Sequence, residues 1–317
     1  MPALLKPEVL SNLDVTIKGA FLDAYSNGNY QPKWSLVATR QTSGSRKNVY
    51  PQAIDAATIR EWSEGERVIN GIVIRGAEVT NQTWELTYSI KREDLDDDMS
   101  GTVAQAVSRV RSGAAKYLRH PDKLVFNVLK SNSTALDGVA LFSASHYENP
   151  SDPASSTFSN TTSGALTPAN VAAARAKMLE LKGPDGDPLN EEPNTIIVPP
   201  ALETTARRIA QADMVIDSAT ATDNAEFNVY KGAYTVVVVP HLAASFTNGS
   251  DSYWYLADTS DPEDRGLIFQ EREAVELVSL FSPTDPNVFE RNEYVWGTRA
   301  RYTAAAGNPK RIFRRTG

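Results

Sequence analysis

Few residues in this chain of 317 are of types and spacings that could do chemistry. The three histidines, His120, His146 and His241, lie far apart, and none has a carboxylate at metal-ligand spacing. His146 follows Phe142-Ser-Ala-Ser145, which sets a hydroxyl nucleophile beside a base. Hydrolytic triads draw their members from separate elements that converge in space, so Ser143 or Ser145 with His146 reads first as a turn holding a structural imidazole. The run Glu93-Asp94-Leu95-Asp96-Asp97-Asp98 offers oxygen ligands to a divalent cation, but it lacks the glycine and distal glutamate of an EF-hand loop. The absence of cysteine excludes a thiolate zinc site, a cysteine nucleophile and a disulfide scaffold. No Walker loop, dinucleotide fingerprint, zinc-protease helix or nucleophile elbow occurs. The sequence predicts no catalytic residue, no metal and no cofactor.

Charge narrows the partners. The net charge of −7 argues against a general nucleic-acid binder while leaving room for a local basic patch. The C-terminus is expected to be the one basic region: from Arg291 onward seven Lys or Arg residues face a single acid, Glu293. Lys310, Arg311, Arg314 and Arg315 fall within the last eight residues. Those four charges could neutralise DNA phosphates, or pair with the acidic surface of a neighbouring subunit. The first residues lack the apolar core of a secretory signal, and no apolar run reaches membrane-spanning length. A product that stays soluble inside the cell that makes it is the expectation.

Several elements carry clear signals. Trp84, Leu86, Tyr88 and Ile90 alternate with polar residues at the period of a half-buried strand. After the acid run, Val103, Val107, Val110, Ala114, Tyr117 and Leu118 form a helical stripe over about 99–120, which Pro121 is expected to end. Some twenty residues make a rod of about 30 Å, with the carboxylates placed to meet its unpaired first N–H groups. Residues 8–25 predict an amphipathic helix and Trp34–Val37 a strand. Residues 46–78, with short apolar pieces interrupted by Gly71 and Gly76, read as an extended projection. Thr167 as N-cap and Pro168 at the first helical position open a helix that Gly183-Pro184 closes. Strands at 195–198, 235–239 and 253–256, with a helix after Pro199-Pro200, predict a compact α/β lobe at 166–262. Long strands at 275–280 and 294–302 return to the sheet of Trp84–Ile90, with Tyr294, Trp296 and Tyr302 on one face and Arg299 and Arg301 on the other.

Four stretches together carry a family resemblance. Leu95-Asp-Asp-Asp98 stands before the long helix, and Asp137-Gly138 leads to Leu141-Phe-Ser-Ala-Ser-His146. Ile197-Val-Pro-Pro-Ala-Leu-Glu203 joins a strand to a helix, and Asn292-Glu-Tyr-Val-Trp-Gly-Thr-Arg-Ala-Arg301 lies near the end. In order and spacing the chain resembles the major head protein of Mu-like phages, the gpT family, which is similar in fold to the HK97-type capsid proteins.

The resemblance implies an α+β, HK97-like capsid fold. Its parts would be an N-terminal arm (1–45), an extended E-loop hairpin (46–78), a P-domain (79–165 and 263–317, spine helix about 99–120, antiparallel sheet) and an α/β A-domain (166–262). It implies a non-enzymatic shell protein whose copies form hexamers and pentamers around double-stranded DNA, in the virion after assembly in a host bacterial cytoplasm. Trp62, Val68, Ile69, Asp96, Asp97, Asp98, Arg299 and Arg301 become candidate contacts between copies, and Lys310, Arg311, Arg314 and Arg315 candidate DNA-facing residues. Two departures matter. No lysine lies between Arg60 and Ile90, so the covalent Lys–Asn crosslinking of some relatives is not supported. No long charged extension precedes the arm, so scaffold and protease, like portal and decoration proteins, are expected as separate chains. Two other readings are an encapsulin-like shell loaded with enzymes, and a hydrolase using Ser143 or Ser145 with His146.

Overall fold

Alternation at period two builds the longest strands. Tyr294, Trp296, Thr298, Ala300 and Tyr302 are all buried while Arg299 between them is exposed, as a pleated strand with one covered face requires. The computed structural model describes residues 7–54, 73–97, 101–149, 154–216, 225–282 and 284–317. In chain order these form α1 (Pro7–Ser26), α2 (Trp34–Val37), β1 (Ala38–Thr42), β2 (Lys47–Ile54), β3 (Val73–Thr80), β4 (Gln82–Lys91), α3 (Arg92–Asp97) and α4 (Thr102–Ser131). Next come β5 (His146–Tyr147), β6 (Thr157–Phe158), β7 (Thr161–Ser163), α5 (Pro168–Leu179), β8 (Thr195–Val198), α6 (Glu203–Gln211), β9 (Met214–Ile216), β10 (Ala225–Phe227), β11 (Thr235–Val238) and β12 (Trp254–Ala257). The chain ends with β13 (Leu267–Leu280), α7 (Pro286–Arg291), β14 (Glu293–Ala306) and β15 (Ile312–Thr316).

Two main sheets organise these elements. The first has strand order β1-β13-β14-β4, with β1 parallel to β13 and the rest antiparallel. Trp296 stands opposite Tyr88, so the expected return of the late strands to the Trp84–Ile90 strand is observed. The second has order β11-β8-β12-β15-β7. Here the topology departs from the boundaries drawn from sequence. β15 lies between β12 and β7, so 312–316 and 161–163 join the sheet of the 166–262 lobe and not the β4 sheet. Ile312 and Phe313 are buried there, completing a core that β8, β11 and β12 leave open on one side.

The helix α4 crosses both cores. Its first half packs Val110 and Ala114 against Leu13, Ile17 and Phe21 of α1 and against Trp296. Its second half buries Val125, Phe126 and Leu129 among residues of both sheets, including Phe269 and Tyr255. Pro121 does not end it, contrary to expectation; the helix runs on to Ser131. Proline removes one backbone hydrogen bond and disfavours helix at His120, and the burial of the turns beyond it outweighs that loss.

Asp122 adds a second reason. It is 1 % exposed, and it accepts hydrogen bonds from Lys33 N (3.1 Å), Trp34 N (2.7 Å) and the Tyr30 hydroxyl. Those free N–H groups belong to the start of a helical turn, so Trp34–Val37 forms α2 and not the expected strand. The acid run also behaves differently. Arg92–Asp97 coils into its own short helix, and Gly101, in the left-handed conformation, stands at the N-cap of α4, so these carboxylates do not occupy its first turn. At α5 the expected cap is observed: Thr167 Oγ1 accepts from Asn170 N at 3.2 Å, with Pro168 at the first position.

Removing Asp122 leaves three donors without their acceptor. Asp122→Ala is expected to cost about 3 kcal/mol in a urea titration, and Asp122→Asn, which keeps one carbonyl acceptor, distinctly less.

Candidate assembly surfaces

The segment expected to project forms a separate ribbon. β2 and β3 pair antiparallel from Lys47↔Thr80 to Ile54↔Val73, and among the described residues this two-stranded sheet joins no other. Gly76 faces Tyr50 and Pro51, where a Cβ would come within 2.5 Å of the Val49 side chain and 2.8 Å of the Tyr50 carbonyl, so the ribbon closes there only with glycine. A polar network pins its base. Gln270, fully buried on β13, accepts from the Tyr50 hydroxyl and donates to Asn81 Oδ1 at 2.7 Å. Asn81 in turn donates to Ser43 Oγ at 2.8 Å and to the Ser45 carbonyl at 2.9 Å. The ribbon is fixed at its root while Val49 stays 62 % exposed. Trp62, Val68 and Ile69 lie outside the described residues, as does Asp98.

Of the remaining candidate contacts, Asp97 is exposed on α3, and nothing is described of the Asp96 side chain. Arg299 and Arg301 lie on the face of β14 turned away from α4 and share one carboxylate, Glu273, at 3.4 and 3.3 Å. Arg299 also stands in register between Glu276 and Glu85. It is a rung of a cross-strand charge ladder with its side chain still 60 % exposed.

Ser143 and His146 do not form a nucleophile–base pair. His146 is fully buried, with Nδ1 2.5 Å from Asp137 Oδ2 and Nε2 3.3 Å from the Leu141 carbonyl. Both ring nitrogens are taken, and the Ser143 hydroxyl accepts from Ser145 N at 3.2 Å instead. The ring stacks on Phe158. Among the described residues no group of three or more His, Asp or Glu is arranged to hold a metal ion, and no helix is long and apolar enough to cross a membrane.

The four C-terminal cations do not form the solvated basic tail that their sequence suggests. They lie in and just before β15, inside the second sheet, where every one has an internal partner. Lys310 is 8 % exposed, donates to the carbonyls of Lys182 (2.9 Å) and Glu148 (3.2 Å), and burial holds its ammonium below the usual lysine range. Arg314 lies over the rings of Phe142 and Tyr253, and the buried Arg315 donates to Thr162 Oγ1 at 3.0 Å. Arg311 is surrounded by three carboxylates: Glu191 at 2.5 Å, Asp258 at 2.7 Å and Asp264 at 3.3 Å. Glu191 Oε2 sits off the donor axis of Arg311, so that contact is ionic and the oxygen accepts no aligned hydrogen bond.

Comparison with known proteins places this architecture. The model of the Mu-like prophage major head subunit gpT matches residues 10–169, 161–242 and 243–315, nearly the whole chain. This chain belongs to that family. The major capsid protein of Escherichia phage Mu is 31% identical over 116 residues, 36% of this chain, and the chain spans 37% of the length of that relative. Among solved structures, the procapsid of bacteriophage JBD30 matches with a TM-score of 0.55 at 23% identity, covering 98% of this chain and 76% of that one. The mature capsid of bacteriophage PhiM1 matches at 0.52 and 13% identity (90% and 87% covered), and the capsid of a native GTA particle at 0.51 and 13% (91% of each). At these identities the likenesses establish the fold, which is that of HK97-like phage capsid proteins.

Three of the stretches that carry the resemblance act as fold locks in this gpT-family chain. Asp137 fixes His146, and with it the turn that carries the buried Leu141 and Phe142. Asn292, at φ 52°, ends α7, accepts from Arg92 N at 2.9 Å and donates to Glu93 Oε1 at 2.6 Å, joining the start of β14 to α3. Pro199-Pro200 turns β8 directly into the helical run that ends in α6. Sequence reading missed the cations of α4, although their seven-residue spacing is visible in the sequence.

The Arg311 cluster has a pH signature. Burial, reinforced by Asp258 and Asp264, pushes the Glu191 carboxyl up to about 7 against the pull of Arg311. Asp258, though also buried, is held below its usual range by hydrogen bonds from Ser260 and by Arg311. A carboxyl raised in the folded state stabilises below its unfolded pKa, and that contribution is lost as pH rises through the folded value. The stability of the natural chain relative to Glu191→Gln should therefore fall between about pH 4.5 and 7 and level off above. Thermal melts across pH 4.5–8 check this, and a gap that does not move with pH contradicts it.

Proposed function

We propose that this chain is the major capsid protein of a Mu-like phage or prophage. Many copies assemble as hexamers and pentamers into a closed icosahedral shell around double-stranded DNA, inside a host bacterium, and end in the virion. Family membership supports the reading, and the β2–β3 ribbon is the observation that carries it. A two-stranded ribbon is marginal alone in water, and among the described residues this one is held by the polar network at its base. The missing cover is a surface on an identical copy. Closed symmetry then multiplies contacts that are individually weak.

On this reading the ribbon and the residues between its strands are the E-loop, with Trp62, Val68 and Ile69 as anchors on the neighbour. The β1-β13-β14-β4 sheet with α4 as spine is the P-domain, and the β11-β8-β12-β15-β7 sheet the A-domain. Residues 1–45 are the N-terminal arm, whose α1 is docked on its own α4. Asp96, Asp97, Asp98, Arg299 and Arg301 serve charge contacts between copies. The match to phage head subunits along nearly the whole chain favours a DNA head over an enzyme-loaded compartment.

Negative-stain microscopy of the purified full chain should show uniform rings or shells. Deleting 46–78 should leave soluble subunits that no longer close, and the double variant Trp62→Ala/Ile69→Ala should reduce shell yield several-fold without lowering the melting temperature. Normal shells from the deletion would remove the interlocking role.

A further inference from the structure

The helix α4 is an island of positive charge in an acidic chain. Across Thr102–Ser131 it carries six Lys or Arg residues and one acid, Asp122, which is buried and committed to Tyr30, Lys33 and Trp34. Arg109, Lys116, Lys123 and Lys130 recur every seven residues, so each lies two turns on and about 10.5 Å along the helix from the last, and Arg119 falls beside them. They form one stripe about 30 Å long, opposite the buried Val110, Ala114, Tyr117 and Val128. Arg109, Lys116, Arg119 and Lys123 are exposed, Lys130 half-buried. Among the described residues none of the five makes an ion pair, whereas Arg40, Arg175, Arg207, Arg301 and Arg311 all do. Arg119 lies over the Tyr30 ring, and Lys130 over that of Phe246.

The local field is positive as well. Burial and the nearby Lys123 charge both hold Lys130 and His120 below their usual ranges. At His241 burial, with Lys130 and Lys123, outweighs the opposing pull of Asp122.

We infer that the exposed stripe of α4 is a docking surface for the phosphate backbone of double-stranded DNA, and that this face of the subunit looks into the shell. The inference rests on the container reading above for the direction it assigns. Two features select DNA over the acidic surface of another copy. Interfaces between proteins centre on aromatic and aliphatic anchors and are depleted in lysine. Here the exposed polar neighbours of the cations on α4 are Gln105, Ser108, Ser112 and Asn127; the exposed Phe246 lies under Lys130 at one end, and none of the exposed large apolar side chains is on α4 itself. Duplex DNA carries about 18 charges along 30 Å of axis, so a straight row of cations meets phosphates at any sequence and in any register. Lysine, arginine and small polar side chains are the groups that make such sequence-independent contacts.

The test uses the full chain as unassembled capsomers, separated from shells by size, and a fluorescein-labelled 24-base-pair duplex titrated by anisotropy at several salt concentrations. Four to five phosphate contacts predict a slope of log affinity against log salt of about −4. Lys116→Gln/Lys123→Gln should reduce that slope by about two and weaken binding at 0.1 M salt about tenfold or more, with shells still forming in micrographs. An unchanged slope and affinity would overturn the assignment. So would a variant that binds DNA normally but no longer closes shells, because the stripe would then serve an acidic face of a second copy. Failure of the natural chain to form shells would count against the container reading alone, since the DNA titration does not depend on it.

Discussion

A helix of thirty residues must be covered along one side for about 45 Å, and the remaining elements are arranged to meet that demand. Neither core is long enough alone. The α1 helix and Trp296 cover the first half of α4, and the second half enters the space between the two sheets, where Val125, Phe126 and Leu129 are almost fully buried. The helix therefore joins the sheets mechanically, and Asp122 ties the 30–34 segment to it at the point where proline interrupts the backbone ladder. At its far end Asn132 stops the helix in the left-handed conformation, and its side-chain amide pairs with both backbone groups of Phe142. That stop positions the Asp137–His146 lock and the short β5–β6 pair, which come next in the chain.

Legibility in the sequence tracks how local the deciding physics is. Thr167-Pro168 needs nothing but its own turn to open α5, and period-two alternation in β4 and β14 needs only one covered face; both are readable. Pro121 misleads because local sterics argue for a stop, whereas the residues that hold the helix beyond it are buried by strands far away in the chain. Trp34–Val37 misleads for the same reason, since the carboxylate that makes it a turn comes from residue 122. The strand β15 looks like a basic tail because its cations stand together in the sequence and their partners do not. Glu191, Asp258 and Asp264 reach Arg311 only through the folded topology. The α4 cations fail in the opposite way: their spacing is local, but the apolar stripe on the same helix masks the complementary polar one.

The two sets of cations give the subunit its electrostatic shape. Arg311, Lys310, Arg314 and Arg315 are consumed inside the second sheet by carboxylates, carbonyls and aromatic faces, so they neutralise buried groups and add little to the external field. The chain nonetheless carries a net charge of −7 although α4 holds six cations and one acid, so the excess of acid lies outside that helix. Among the described residues one face of α4 carries cations without ion pairs, whereas Arg299 on β14 stands in register with Glu85 and Glu276. In the DNA-filled shell proposed above, such a subunit has a preferred way round. With α4 inward, the cations meet a polyanion and are screened by it, and the acidic remainder faces solvent, where net charge keeps assembled particles apart. With α4 outward, each particle would present repeated unpaired cations to every polyanion in the cell. The folded charge distribution thus supplies a reason for sidedness that the total charge, taken alone, conceals.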